Sequence, residues 1–142
     1  MALPPNIAYS IQNRHNRVKQ KAIIKCMQLN TQHSRVAVSN LTQIIINYNI
    51  DIAFVQEPYT IHNNVAGFPK EFRIFAHGGG RKRAATVVNN SDIDVTSITQ
   101  ASHEDTILVE FRYKGTKLFG TSVYLPIDRD IETPRLLRTS CS

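Results

Sequence analysis

Two polar side chains end two apolar runs of this chain. Asn30 follows the run IIKCMQL, and Glu57 closes the run IDIAFVQ, with Gln56 before it and Pro58 after it. A carboxylate and a carboxamide converging in one crevice can hold a divalent cation against a phosphate, because a hard cation takes oxygen ligands and keeps positions open for water and substrate. By spacing alone, a glutamate solvated in a loop and an asparagine doing turn chemistry are the commoner arrangement. What decides is whether the intervening chain brings the two together.

The elements between them are readable. Residues 23–29 are mostly apolar and partly β-branched, a strand covered on at least one face. From Ser34 the period changes: Ala37, Leu41, Ile44, Ile45 and Tyr48 form one apolar stripe of an α-helix. Ser34 is the expected N-cap, and Asn49 can take the left-handed conformation that ends a helix. Residues 50–56 are apolar except Asp51 and Gln56, a buried strand that Glu57-Pro58 terminates because proline cannot donate to a ladder. Strand, helix, strand is a βαβ unit, with parallel strands and a right-handed connection. Ligands of α/β sheets bind outside the carboxyl ends of the strands, where Asn30, Gln56 and Glu57 fall.

The segments Met27-Gln28-Leu29-Asn30, Gln32-His33-Ser34-Arg35 and 50–59 (IDIAFVQEPY) resemble the start of the endonuclease/exonuclease/phosphatase superfamily. Within it they look most like the apurinic-endonuclease-like domain of Jockey-type and related non-LTR retrotransposons. A further match, Ser122-Val123-Tyr124-Leu125-Pro126, is similar to the family's S-x-Y-x-P strand end. The resemblance implies that Glu57 binds a catalytic divalent metal, Mg²⁺ or Mn²⁺. It also implies that Asn30 orders the metal and phosphate end of the site, and that the Tyr124 hydroxyl points at the scissile phosphate.

The departures are as informative. The family's later D-x-N segment, with its base or water-orienting Asp, and its terminal S-D-H segment are both missing. Asp128-Arg129-Asp130 follows Tyr124 too closely and lacks the Asn. The chain is therefore expected to be the N-terminal half of such a domain.

The 142 residues suit one domain and are too few for two ordinary ones. Apolar residues make up 42% and charged residues 20%, the balance of a globular chain. A net charge of +6 and a pI near 9.6 suit a phosphate-rich partner, and equally a merely soluble basic surface. No apolar run is long enough for a membrane span, so no membrane partner is expected. Cys26 and Cys141 read as free thiols of a reducing compartment, without metal-ligand spacing to any His. Residues 1–21 contain Arg14, Arg17, Lys19 and Lys21 and no acidic residue, a basic flexible arm without the apolar core of a signal peptide. Residues 22–142 are read as the truncated domain.

After Tyr59, the residues Asn63, Asn64, Gly67 and Pro69 mark a loop over 60–70 at the rim of the crevice, with His62 exposed in it. Strands over 72–76 and 84–88 flank His77-Gly78-Gly79-Gly80-Arg81-Lys82-Arg83. Walker spacing is absent and no helix follows, so this is read as a hairpin loop with a cationic tip that could grip DNA backbone. Arg81, Lys82 and Arg83, with Tyr59 at the rim, are the expected nucleic-acid contacts. Asp92 and Asp94 flank a turn as surface residues, and 93–98 is an edge or half-buried strand. In 106–113, Ile107, Val109, Phe111 and Tyr113 face one way; Lys114-Gly115-Thr116 turns the chain, and 117–125 returns antiparallel with Tyr124 at its end. His103, Glu104 and Asp105 are read as a charged loop and not an ion site. Residues 130–137 are compatible with a helix.

The expected fold is α/β, a partial four-layer α/β sandwich with a mixed, mostly antiparallel sheet and the initial βαβ unit. A full member packs two sheets face to face between helices, and this chain is expected to supply mainly one. The apolar face so exposed would call for self-association or a completing polypeptide segment. The expected function is that of a retrotransposon-derived DNA endonuclease domain, nuclear by its family, weakly active or inactive alone. The alternatives are a catalytically dead nucleic-acid-binding remnant and a phosphatase acting on a small phosphoester.

Overall fold

The computed structural model describes residues 23–126. The basic arm, Cys141 and the helix-compatible stretch over 130–137 lie outside the described residues. Strand β1 (Cys26–Asn30), helix α1 (Arg35–Asn47) and strand β2 (Ile52–Gln56) form the βαβ unit, with β1 and β2 parallel and Asn30 opposite Gln56. Ser34 caps the helix by accepting from the Ala37 N–H at 3.1 Å. Asn49 ends it at φ 52°, with the Ile50 N–H donating to the Ile45 carbonyl at 3.0 Å, the bond of a Schellman motif. The buried stripe is Val38, Leu41, Thr42 and Ile45, turned slightly from the stripe read in the sequence, with Ala37, Ile44 and Tyr48 at its margins.

Strands β5 (Arg73–Phe75) and β6 (Ala84–Val88) extend the first sheet antiparallel to give the order β1-β2-β6-β5. All of β6 is buried, as expected of a strand covered on both faces. Strands β3 (Thr60–Ile61) and β4 (Asn64–Val65) form a small hairpin within the expected loop, turning at His62 and Asn63 with φ of 52° and 68°. Two consecutive positive φ values are a type I′ turn, which fits the twist of paired strands. Strands β7 (Asp94–Ser97), β8 (Thr106–Tyr113) and β9 (Thr116–Val123) make a second, antiparallel sheet in that order.

The expectation that this chain supplies mainly one sheet is corrected. Ile107, Val109 and Phe111 of β8 do not extend the first sheet but pack across it, forming one core with Ile52, Ala84, Val88 and Ile93. A second core lies on the opposite face, where Leu41 and Ile45 of α1 cover Ala53, Val55, Val87 and Phe72. The layers are thus helix, four-stranded sheet, three-stranded sheet. Apolar exposure is local to parts of this arrangement, with Leu118 (44%) and Phe119 (55%) on β9 the adjacent pair.

The two sheets meet most closely along β9. A Cβ on Gly120 would stand 2.8 Å from the Phe54 ring and 2.9 Å from the Phe111 ring, so only glycine fits without displacement. Two residues on, the buried Ser122 hydroxyl donates to the Val55 carbonyl (2.9 Å) and accepts from Gln56 Nε2 (3.2 Å). At the other end of β2, Asp51 accepts from the Lys25 N–H (2.8 Å) and Asn90 Nδ2 (3.1 Å), tying the start of β1 to the turn after β6.

The glycine run turns its donors inward. Glu104 Oε2 accepts from the Gly80 N–H at 3.1 Å, and a Cβ on Gly78, at φ 107°, would collide with the Glu104 side chain. The backbone N–H of Gly80, with help from Gly79, holds the Glu104 carboxyl below its ordinary value.

Three outcomes follow from this packing. Gly120→Ala should destabilise the fold by about 1–3 kcal/mol in chemical denaturation, because the sheets must part or the rings leave their rotamers. Thr86 has a fully buried hydroxyl with no hydrogen-bond partner among the described residues, so the isosteric Thr86→Val should leave stability unchanged or raise it by about 1 kcal/mol in the same assay. Glu104 has a folded pKa below its unfolded one, so its contribution is complete above the unfolded value and is lost as pH falls through the folded one. Amide exchange at Gly80, corrected for intrinsic rate, should accelerate as pH drops below the ordinary carboxylate range, and Glu104→Gln should abolish that dependence.

Candidate active site

Five side chains stand at one end of the sandwich because the strands that carry them end there. Asn30 is the last residue of β1 and Glu57 follows β2. The Glu57 N–H donates to the Arg83 carbonyl at 2.8 Å, which extends the β2–β6 ladder by one residue and sets Arg83 opposite Glu57. The Tyr124 N–H donates to the Asp105 carbonyl at 2.8 Å, extending the β8–β9 ladder in the same way. The Glu104 carbonyl joins the two sheets there by accepting from the N–H groups of Arg83 (2.8 Å) and Ala84 (3.1 Å).

Glu57 is the centre. Asn30 Nδ2 donates to Glu57 Oε1 at 2.9 Å, and Asn30 Oδ1 accepts from the Gln32 N–H at 2.8 Å, which fixes which end of the amide faces the carboxylate. His33 Nε2 stands 3.1 Å from Glu57 Oε2, and its Nδ1 lies 3.1 Å from the Pro58 carbonyl, a group that can only accept. The Glu57 carbonyl accepts from the His33 N–H (2.7 Å) and from the buried Thr31 hydroxyl (2.7 Å). Gln32, His33 and Glu57 all have φ near 50–57°. The β1–α1 loop therefore grips both the peptide and the carboxylate of Glu57. His33 was quoted in the sequence only as part of a resemblance; its position three residues after Asn30, at the start of the helix, was the available signal. Gln56, read as a polar group of the crevice, is buried instead and serves the contact with Ser122.

Arg83 links Glu57 to Tyr124. Its Nε bonds Asp105 Oδ1, and its guanidinium lies over the Tyr124 ring, 5.7 Å from the centroid. Asp105 pushes the guanidinium pKa further up, so the group stays charged. The other expected cations part company. Arg81 is exposed, whereas Lys82 is buried, its Nζ donating to the carbonyls of Gly80 (3.0 Å) and Asn63 (3.4 Å). Tyr59 is half-buried beside Gly67, where an added Cβ would also meet Val38 of α1. His103 Nδ1 accepts from the Asp105 N–H (3.2 Å), while the Glu104 and Asp105 carboxylates turn to Gly80 and Arg83, so the three side chains do not converge on one point.

A divalent cation would find one hard carboxylate, Glu57, whose oxygens keep lone pairs beyond the bonds from Asn30 and His33 and whose side chain is 23% exposed. Among the described residues no group of three or more His, Cys, Asp or Glu could hold a metal ion. The donor set fits Mg²⁺ held largely by water and phosphate, and does not fit an all-protein cage. No helix among the described residues is long and apolar enough to cross a membrane.

No protein-family model matches the chain, and no curated protein matches it. Solved structures do. The endonuclease domain of TRAS1, a telomere-specific non-LTR retrotransposon, superposes with a TM-score of 0.65 at 24% identity, over 82% of this chain and 53% of that one. D. rerio TDP2, solved with a single-strand DNA product, superposes with a TM-score of 0.52 at 14% identity, over 82% of this chain and 52% of that one. This chain thus spans about half the length of the structures it resembles. The helix and two packed sheets described above share the endonuclease/exonuclease/phosphatase-like fold of these structures over that half.

Proposed function

We propose that this chain is a retrotransposon-derived DNA endonuclease domain, one that hydrolyses a phosphodiester with Mg²⁺ or Mn²⁺ to nick target DNA. The observation that carries the reading is the bond from Asn30 Nδ2 to Glu57 Oε1 at a strand-end crevice, with Tyr124 joined to the same end through Arg83. Glu57 would hold the ion, and Asn30 and His33 orient its two oxygens. What the ion supplies when bound is polarisation of a phosphoryl oxygen. The Tyr124 hydroxyl would face the scissile phosphate. The likeness to a retrotransposon endonuclease domain supports DNA as the substrate, and nuclear residence goes with that role.

A second reading rests on what surrounds Glu57. Among the described residues, Asp105 is a carboxylate at this end that could serve as a base, and it is engaged by Arg83. General-base assistance is worth about 10²–10⁴-fold, so the chain alone should be weakly active or inactive. A catalytically dead nucleic-acid-binding remnant fits that deficit. A polypeptide segment that completes the fold would supply the base, and self-association would cover the exposed Leu118 and Phe119 of β9.

The test is nicking of supercoiled plasmid by the purified chain, with and without Mg²⁺, beside Glu57→Ala. Metal-dependent nicking that falls at least about 100-fold in the variant supports the endonuclease. Absence of nicking with DNA binding retained in EDTA supports the binding remnant, since backbone binding needs no Mg²⁺ and weakens steeply with salt.

A further inference from the structure

The structure gives the three cations of the glycine loop unequal roles. Lys82 is turned into the protein and its ammonium is committed to two carbonyls. Arg81 is exposed on the loop and makes no ion pair among the described residues. Arg83 alone is both charged and built into the strand-end crevice, with its peptide bonded to Glu57 and its guanidinium over the Tyr124 ring, 5.7 Å from the centroid. Asp105 takes only its Nε. The terminal Nη groups have no hydrogen-bond partner among the described residues, and the side chain is 42% exposed.

An arginine held in this way is a prepared anion site. The planar guanidinium keeps its terminal donors when its Nε edge is held by a carboxylate, so less side-chain entropy remains to be lost on binding. The oxygens that match such a fork are those of a phosphate or carboxylate. We propose that Arg83 is the phosphate-contacting residue of this site, its Nη groups taking the non-bridging oxygens of one DNA phosphate beside Tyr124, with Asp105 as its positioning residue. The assignment rests on the DNA reading above and deepens it. It moves the decisive backbone contact from the loop tip to a single residue within the crevice.

The experiment measures binding of a short duplex in EDTA across a salt series, with single phosphates replaced in turn by neutral methylphosphonates. The wild-type chain should lose about tenfold in affinity at one position. Arg83→Gln should lose about tenfold on the unmodified duplex and be indifferent to the methylphosphonate at that position. Its slope of log K against log salt should be shallower by about 0.9. Arg83→Lys should keep the slope and lose affinity, because an ammonium cannot form the fork. It also carries the test if thermal melting shows that Arg83→Gln does not fold. Unchanged slope and unchanged methylphosphonate sensitivity in Arg83→Gln, or wild-type affinity in Arg83→Lys, overturns the assignment while leaving DNA binding standing. A wild-type chain that fails to bind the duplex overturns the DNA reading itself, and the assignment with it.

Discussion

Glu57 occupies the left-handed region at φ 49°, and the site end of the sandwich is built around keeping it there. A residue with a Cβ in that region costs about 1–2 kcal/mol relative to ordinary backbone. Three hydrogen bonds offset the cost, from the Glu57 N–H to Arg83 and to the Glu57 carbonyl from His33 and Thr31. The consequence is geometric. Side chains alternate along β2, so a strand continued past Gln56 would send residue 57 to the face of Ala53 and Val55, under the helix. The left-handed turn takes the carboxylate out of that alternation and delivers it to Asn30 and His33. Pro58 then prevents the strand from resuming.

The same logic of strand ends accounts for the rest of the cluster. β1, β2 and β9 finish at this end while β6 and β8 start there, so single residues just beyond the regular ladders carry the polar groups. The body of each strand is free to be apolar. Gly120 and Ser122 let the two sheets approach along β9, and that approach is what brings Tyr124 within reach of Arg83. Site geometry therefore depends on small residues in the core between the sheets.

Features set by near neighbours were legible in the sequence. The βαβ unit, the Ser34 cap, the Asn49 terminus, the bounds of β6 and the alternation of Ile107, Val109 and Phe111 all follow from local pattern and turn chemistry. Asn30 and Glu57 could be placed at strand ends for the same reason, and their contact followed from a parallel register. What stayed hidden was decided by distant partners. Lys82 and Arg83 are adjacent cations that differ only because one meets carbonyls of the β3–β4 turn and the loop while the other meets Asp105, 22 residues away. Gln56 looked like a site residue until Ser122, 66 residues on, claimed it. The second sheet was missed because alternation reveals that a strand has a buried face but not what buries it.

Electrostatically, the glycine loop and the crevice resolve in opposite senses. The Gly80 N–H, a backbone donor that might have served a phosphate, is taken by Glu104, an anion supplied by the chain itself. In the crevice the charges are interleaved and each keeps open valence: Glu57 with lone pairs to spare, Arg83 with its Nη donors, and Asp105 balancing Arg83 from behind. A site of a single sign would repel either the cation or the phosphate. One with a carboxylate and a guanidinium on neighbouring strands can admit both, each against its own counter-charge. For a reaction that brings a divalent cation and a phosphodiester to one point, that pairing matters more than the net basic charge of the chain.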